Sequence, residues 1–170
     1  VGYNATSVIS STSLGAASYA TSNSAAVGVN AYATNRGTSV GNNTQSTNGV
    51  AIGYNATAGD FYKNLPGELF SSYSGTAIGN NAFARGGVAV GDSASAEAYG
   101  VALGDRAYVA WRGSALGYTA SVLANGGVAL GPDAVADTAA GKFGYIAAAT
   151  AQPATEMELA AAIGKADVVN

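Results

Sequence analysis

The 170-residue chain has a net charge of −3, only 10% charged residues, and neither cysteine nor histidine. Its seven basic residues are scattered, which excludes a nucleic-acid footprint, and no run of about 18 apolar residues offers a helical membrane span. Without His or Cys there is no histidine acid–base work, no thiol nucleophile and no usual zinc ligand set.

With ten tyrosines, only three prolines and regularly spaced aliphatic residues, the chain reads as ordered rather than disordered. It starts inside a repeat and without Met, so it is expected to be an excerpt of a longer protein.

From the first residues onward one phrase recurs: a small residue, an aliphatic residue, glycine, two mostly polar residues, alanine, any residue, alanine. Clear copies centre on Gly28, Gly53, Gly79, Gly91, Gly104, Gly117 and Gly131, with weaker ones on Gly2, Gly15 and Gly41. The steps between these glycines are 13, 13, 13, 12, 26, 12, 13, 13 and 14. A period near thirteen is too short for a helical hairpin and suits one turn of a β-solenoid.

Aligned on the glycine, the position before it holds Val27, Val40, Ile52, Ile78, Val90, Leu103, Leu116 and Leu130. Two residues earlier stand Thr38, Val50, Thr76, Val88 and Val101, and the position between is always Ala or Ser. This is the alternation of a strand with large side chains on one face and tiny ones on the other. The expected coil encloses its aliphatic row, and the small, uncharged face serves lateral association.

After the glycine, alanine fills the third and fifth positions of most copies, as in Ala31 and Ala33, giving a second short strand. The residue between them is expected to face solvent; there stand the aromatics Tyr19, Tyr32, Phe83 and Tyr108, and Trp111 lies in a turn beside Arg112. A second glycine four residues before the first (Gly49, Gly87, Gly100) marks the other turn of each coil. Asn4, Asn30, Asn43, Asn55 and Asn81 share one position, where asparagine tolerates left-handed backbone and can hydrogen-bond along the stack.

The 26-residue step after Gly53 breaks the phrase. Residues 60–74 are either an inserted loop or one degenerate coil centred on Gly67. The loop is preferred because Pro66 in the aliphatic position would remove a ladder donor. Phe61, Tyr62, Lys63, Phe70 and Tyr73 would then contact either a ligand or a neighbouring protomer. Asp92 and Asp105 stand one coil apart, but two carboxylates make a poor calcium site, and no metal or cofactor is expected.

Beyond Gly131, Lys142 to Ala149 is a decayed copy that closes a head unit at about residue 150. In residues 151–170 a capping box from Thr155 to Glu158 announces a short helix from about Glu156 to Ala166, the possible start of a stalk or further module. The fold class is therefore all-β: a parallel β-roll of about ten to twelve coils of 12–14 residues, about 50 Å long at the strand spacing. One such roll buries too little area alone, which implies a homo-oligomer whose core lies between protomers.

Gly49 to Ala58 (GVAIGYNATA) and Gly87 to Ala96 (GVAVGDSASA) resemble the head repeat of trimeric autotransporter adhesins, the YadA-like family, across about residues 1–136. The resemblance implies a left-handed roll, a parallel homotrimer, and a non-enzymatic role in attachment. Partners would be extracellular matrix protein, host-cell or neighbouring-cell surfaces, or glycan, from a bacterial cell surface anchored by an outer-membrane segment absent here. The family's neck motif is not visible. The alternative is a structural segment of a phage tail fibre or extracellular fibre built from the same repeat. No serine has a base partner or a nucleophile elbow, and the glycines follow the coil period rather than a phosphate loop, so catalysis is not expected.

Overall fold

Three residues before each main glycine extend as a strand, and two or three residues around the fifth position after it form a second. A computed structural model describes residues 1–59, 73–97 and 99–138, and among these are nineteen such strands and no helix. Successive strands alternate between two sheets, so each coil gives one strand to each. The ten-stranded sheet runs from Thr6–Val8 to Val135–Ala136; the nine-stranded sheet runs from Thr12–Leu14 to Val128–Leu130. Every pairing is parallel and in register with the repeat: Ala26 lies on Ser39, Ala89 on Ala102, Ala102 on Ala115. The result is a β-solenoid of about nine turns among the described residues.

Two turn devices hold the coils in register. At Gly28 and Gly41 the backbone has φ of 135° and 134°, and a Cβ on Gly28 would overlap the Gly41 carbonyl oxygen of the next coil. Only glycine combines that conformation with that approach. Two residues on, Asn4, Asn30, Asn43, Asn55 and Asn81 all adopt left-handed φ of 53–56°, as the repeat predicts. The ladder continues through these turns, with Gly28 N–H donating to Leu14 C=O at 2.7 Å and Asn30 N–H to Ala16 C=O at 3.0 Å.

The interior differs from the expectation. It is filled by the small column, not the aliphatic row. Ala26, Ala51, Ala77, Ala89, Ala102 and Ala115 are fully buried, facing Ala33, Ala58, Ala84 and Ala96 from the opposite sheet. Among the described residues the largest fully buried side chains are Val109 and Val122. Leu14, Val40, Ile52, Ile78 and Leu103 are instead 36–48% exposed, and Val27, Val90 and Leu116 half-buried, on the outside of the nine-stranded sheet. The physical reason is width: a coil of about thirteen residues leaves room between its two strands for little more than methyl-sized side chains at close-packed density, and Val109 and Val122 fit because Gly100 and Gly113 lie against them.

Toward the N-terminal end the interior becomes hydroxylic. Ser39 Oγ is hydrogen-bonded with the Tyr32 carbonyl at 2.6 Å and with Ser46 Oγ at 2.9 Å, while Ser13 and Ser18 share a 2.6 Å bond. Ser39, Ser46 and Thr44 separate an alanine cluster at Ala20–Ala33 from the longer one running from Ala51 to Ala129, and Ser13 and Ser18 lie on the N-terminal side of the first.

Across the 26-residue step the stack is continuous. Val50–Ile52 pairs directly with Thr76–Ile78, and Thr57–Ala58 with Phe83–Ala84. No strand intervenes, so the flanking coils are immediate neighbours, and the chain leaves and rejoins the stack at one corner, where Gly59 meets Tyr73 and Gly75. Phe61, Tyr62, Lys63 and Phe70 lie outside the described residues, as do the decayed copy at 142–149 and the helix expected at 156–166.

Candidate binding surfaces

The two sheets present outer faces of opposite character. That of the nine-stranded sheet has two columns, the aliphatic row and the position two residues before it, and neither column holds a charge from Thr12 to Leu130. The row Val27, Val40, Ile52, Ile78, Val90, Leu103, Leu116 and Leu130 is thus one continuous apolar stripe, reaching 75% exposure at Leu130. Such stripes on soluble chains mark interaction surfaces.

The ten-stranded sheet carries the aromatic column. Tyr32 and Tyr108 are 40% and 37% exposed, and Tyr19 and Phe83 half-buried. Only Tyr19 and Tyr32 are brought together, with ring centroids 5.1 Å apart and planes within 11°. Phe83 lies between Thr57 and Ser95, and Tyr108 between Ser95 and Ser121. Trp111 is 41% exposed at a corner. Its neighbour Arg112 places its guanidinium 5.5 Å from the Tyr99 ring, against which Tyr73 packs edge-on at 5.8 Å.

Two recesses flank the Tyr32 strand. One is lined by Asn30, Tyr32, Asn43 and Gln45; the other, at the far corner, by Ser22, Asn23, Asn35, Arg36 and Asn48. All five lining residues of the second have left-handed φ between 51° and 67°. Asn30, Asn43, Gln45 and Arg36 were not singled out as a site by the sequence. Their grouping is nevertheless readable from the period, because residues thirteen apart become neighbours across a coil spacing of about 4.8 Å.

Apart from Arg36, the charged side chains among the described residues lie in the later coils, from Arg85 onward. Arg85 and Glu97 pair at 3.7 Å, Arg106 donates to the Tyr118 hydroxyl at 3.2 Å, and Thr119 bonds Asp133. The Asp105 carboxylate accepts the Asp92 backbone N–H at 3.0 Å. Among the described residues no three acidic, His or Cys side chains gather as metal ligands, and no helix is long and apolar enough to cross a membrane.

No protein-family model, curated protein or solved structure matches the chain.

Proposed function

We propose that this chain is a non-enzymatic attachment module: a left-handed roll, three copies of which pack their aliphatic faces together into a rigid surface-exposed rod. The observation that carries this reading is the uncharged aliphatic stripe, exposed along the whole nine-stranded sheet. Fully burying a Val, Leu or Ile side chain stabilises by about 1.5–3 kcal/mol, and a stripe repeated in every coil adds this along the rod. An interior of alanine and serine supplies little of that stabilisation to a lone chain.

Three copies rather than two follows from the resemblance to YadA-like heads, as does placement at a bacterial cell surface. With the aliphatic stripe turned inward, the aromatic and asparagine columns of the ten-stranded sheet form the outer surface available to matrix protein, host or neighbouring cells, or glycan. Sedimentation equilibrium at micromolar concentration tests the assembly: a trimer is expected, and a stable, folded monomer overturns it. Beads coated with the assembled chain test attachment: they are expected to adhere to matrix-protein or cell layers. A rod that assembles but adheres to neither is a fibre spacer instead.

A further inference from the structure

We propose that the recess formed by Asn30, Tyr32, Asn43 and Gln45 is a binding site for a neutral sugar ring. The assignment rests on the attachment reading above and names its ligand class.

Chain order builds the recess. Tyr19, Tyr32 and Gln45 occupy one column of three successive coils, paired in register. The Tyr19 ring stacks on Tyr32 at 5.1 Å, nearly parallel. Rings stacked between coils turn their faces along the rod axis. One face of Tyr32 is therefore covered by Tyr19; on its other side the column continues with Gln45, which is not aromatic, and Tyr32 stays 40% exposed. Asn30 and Asn43, from the turns leading into these strands, wall the recess, an open groove of about 450 Å³. Clefts that hold small ligands measure about 300–1,000 Å³ and combine an apolar surface with a few placed polar groups.

The chemistry of the lining selects the ligand. None of the four residues is charged. The amides of Asn30, Asn43 and Gln45 and the Tyr32 hydroxyl make no hydrogen bond to other described residues. Each amide offers a donor and an acceptor, which complements hydroxyl groups, themselves donors and acceptors. A pyranose ring has hydroxyls around its edge and C–H groups on its face, so it can lie against the exposed part of the Tyr32 ring and turn its hydroxyls to the amides. The equivalent asparagines one coil on do not offer this, because Asn55 Nδ2 donates to Asn81 Oδ1 at 3.0 Å. Further along, the same turn position holds Arg106 and Asp133, and Tyr108 has no aromatic partner.

The site is also preorganised. The ring is held by its stack, the turns by left-handed Asn30 and Asn43, and the strands by the ladder, so little freedom is lost on binding. It lies on the sheet opposite the aliphatic stripe, so it remains open when copies pack. Three sites per rod would convert weak single-ring affinity into avidity.

Saturation-transfer difference NMR of the full chain with lactose, cellobiose and 3′-sialyllactose at up to millimolar concentration tests the assignment. At least one of the neutral disaccharides is expected to bind. Tyr32→Ala is expected to weaken that binding at least about tenfold, and Gln45→Ala to weaken it less. Tyr32→Phe should retain most of it and Tyr108→Ala all of it. Circular dichroism confirms that each variant keeps its strands, and Asn43→Ala is a second variant with a safe backbone, since Ala17 already holds that turn position at φ 52°. Binding of neither neutral disaccharide, binding only of the sialylated sugar, or binding that survives Tyr32→Ala overturns the assignment. The bead assay separates the two claims. Adhesion unaffected by Tyr32→Ala with no sugar bound leaves attachment standing and removes the sugar site. Sugar binding without adhesion does the reverse.

Discussion

Ala102 and Leu103 are chain neighbours that point to opposite faces of the nine-stranded sheet: Ala102 is fully buried inside the coil, Leu103 is 36% exposed outside it. The smaller residue makes the core of the chain, and the larger one stands outside it.

Substitutions at the two positions should therefore fail differently. Ala102→Leu forces extra methylenes between two strands that hold only Ala89, Ala115 and the opposite column, and should destabilise each chain by about 1–3 kcal/mol or more in a urea melt. Leu103→Asp, or Ile78→Asp, should leave the strands intact by circular dichroism and prevent assembly in sedimentation, because it would bury a charge between copies. Assembly that persists with Asp at both positions would place the interface elsewhere.

Glycine columns give a second contrast. Gly28→Ala meets both an unfavourable φ of 135° and the Gly41 carbonyl, so about 3 kcal/mol or more should be lost. Gly131→Ala has φ of 111° but no atom within 4 Å of the new methyl. It should cost only the backbone strain, about 1–3 kcal/mol. Equal shifts of the urea midpoint would show that packing of the glycine column contributes nothing.

The period, the two strands per coil and the left-handed asparagines were all legible in the sequence, because each depends on local backbone chemistry repeated ten times. The direction of the strand faces was not. Both faces of Val50–Ile52 or Val101–Leu103 lack charge, so polarity could not mark the inside, and the usual ranking puts Val and Leu there. The usable signal was steric: a column that never exceeds serine, from Ser13 to Ala129, is a column with no space. The grouping of Asn30, Asn43 and Gln45 around Tyr32 is set by the coil spacing rather than by any unusual residue type.

The buried hydroxyl layer lends itself to a double-mutant cycle. Ser39→Ala removes the hydrogen-bond partner of both the Tyr32 carbonyl and Ser46 Oγ, and should cost about 1–3 kcal/mol. Ser46→Ala leaves Ser39 bonded to Tyr32 and should cost less. The pair together recreates the Ala51 and Ala58 arrangement of the next coil and should lie within about 1 kcal/mol of the parent. Strict additivity in thermal melts would refute the coupling.

Excising residues 60–72 should leave the rod intact, since the flanking coils already pair in both sheets and Gly59 lies against Tyr73 and Gly75. An unchanged strand signal and melting temperature are expected. Loss of folding would mean that the excised segment is part of the stack.

Because each coil is hydrogen-bonded only to the coils above and below it, tension along the rod axis loads the ladders in series. Wherever the stack has a free end, the coil there is held on one side only and yields before the coils inside it. Each coil that peels away releases about thirteen residues, roughly 40 Å of extended chain, for one step of stack height. A tether built this way would lengthen in discrete increments under a sustained pull, dissipating work at every coil while keeping the remaining outer surface in place.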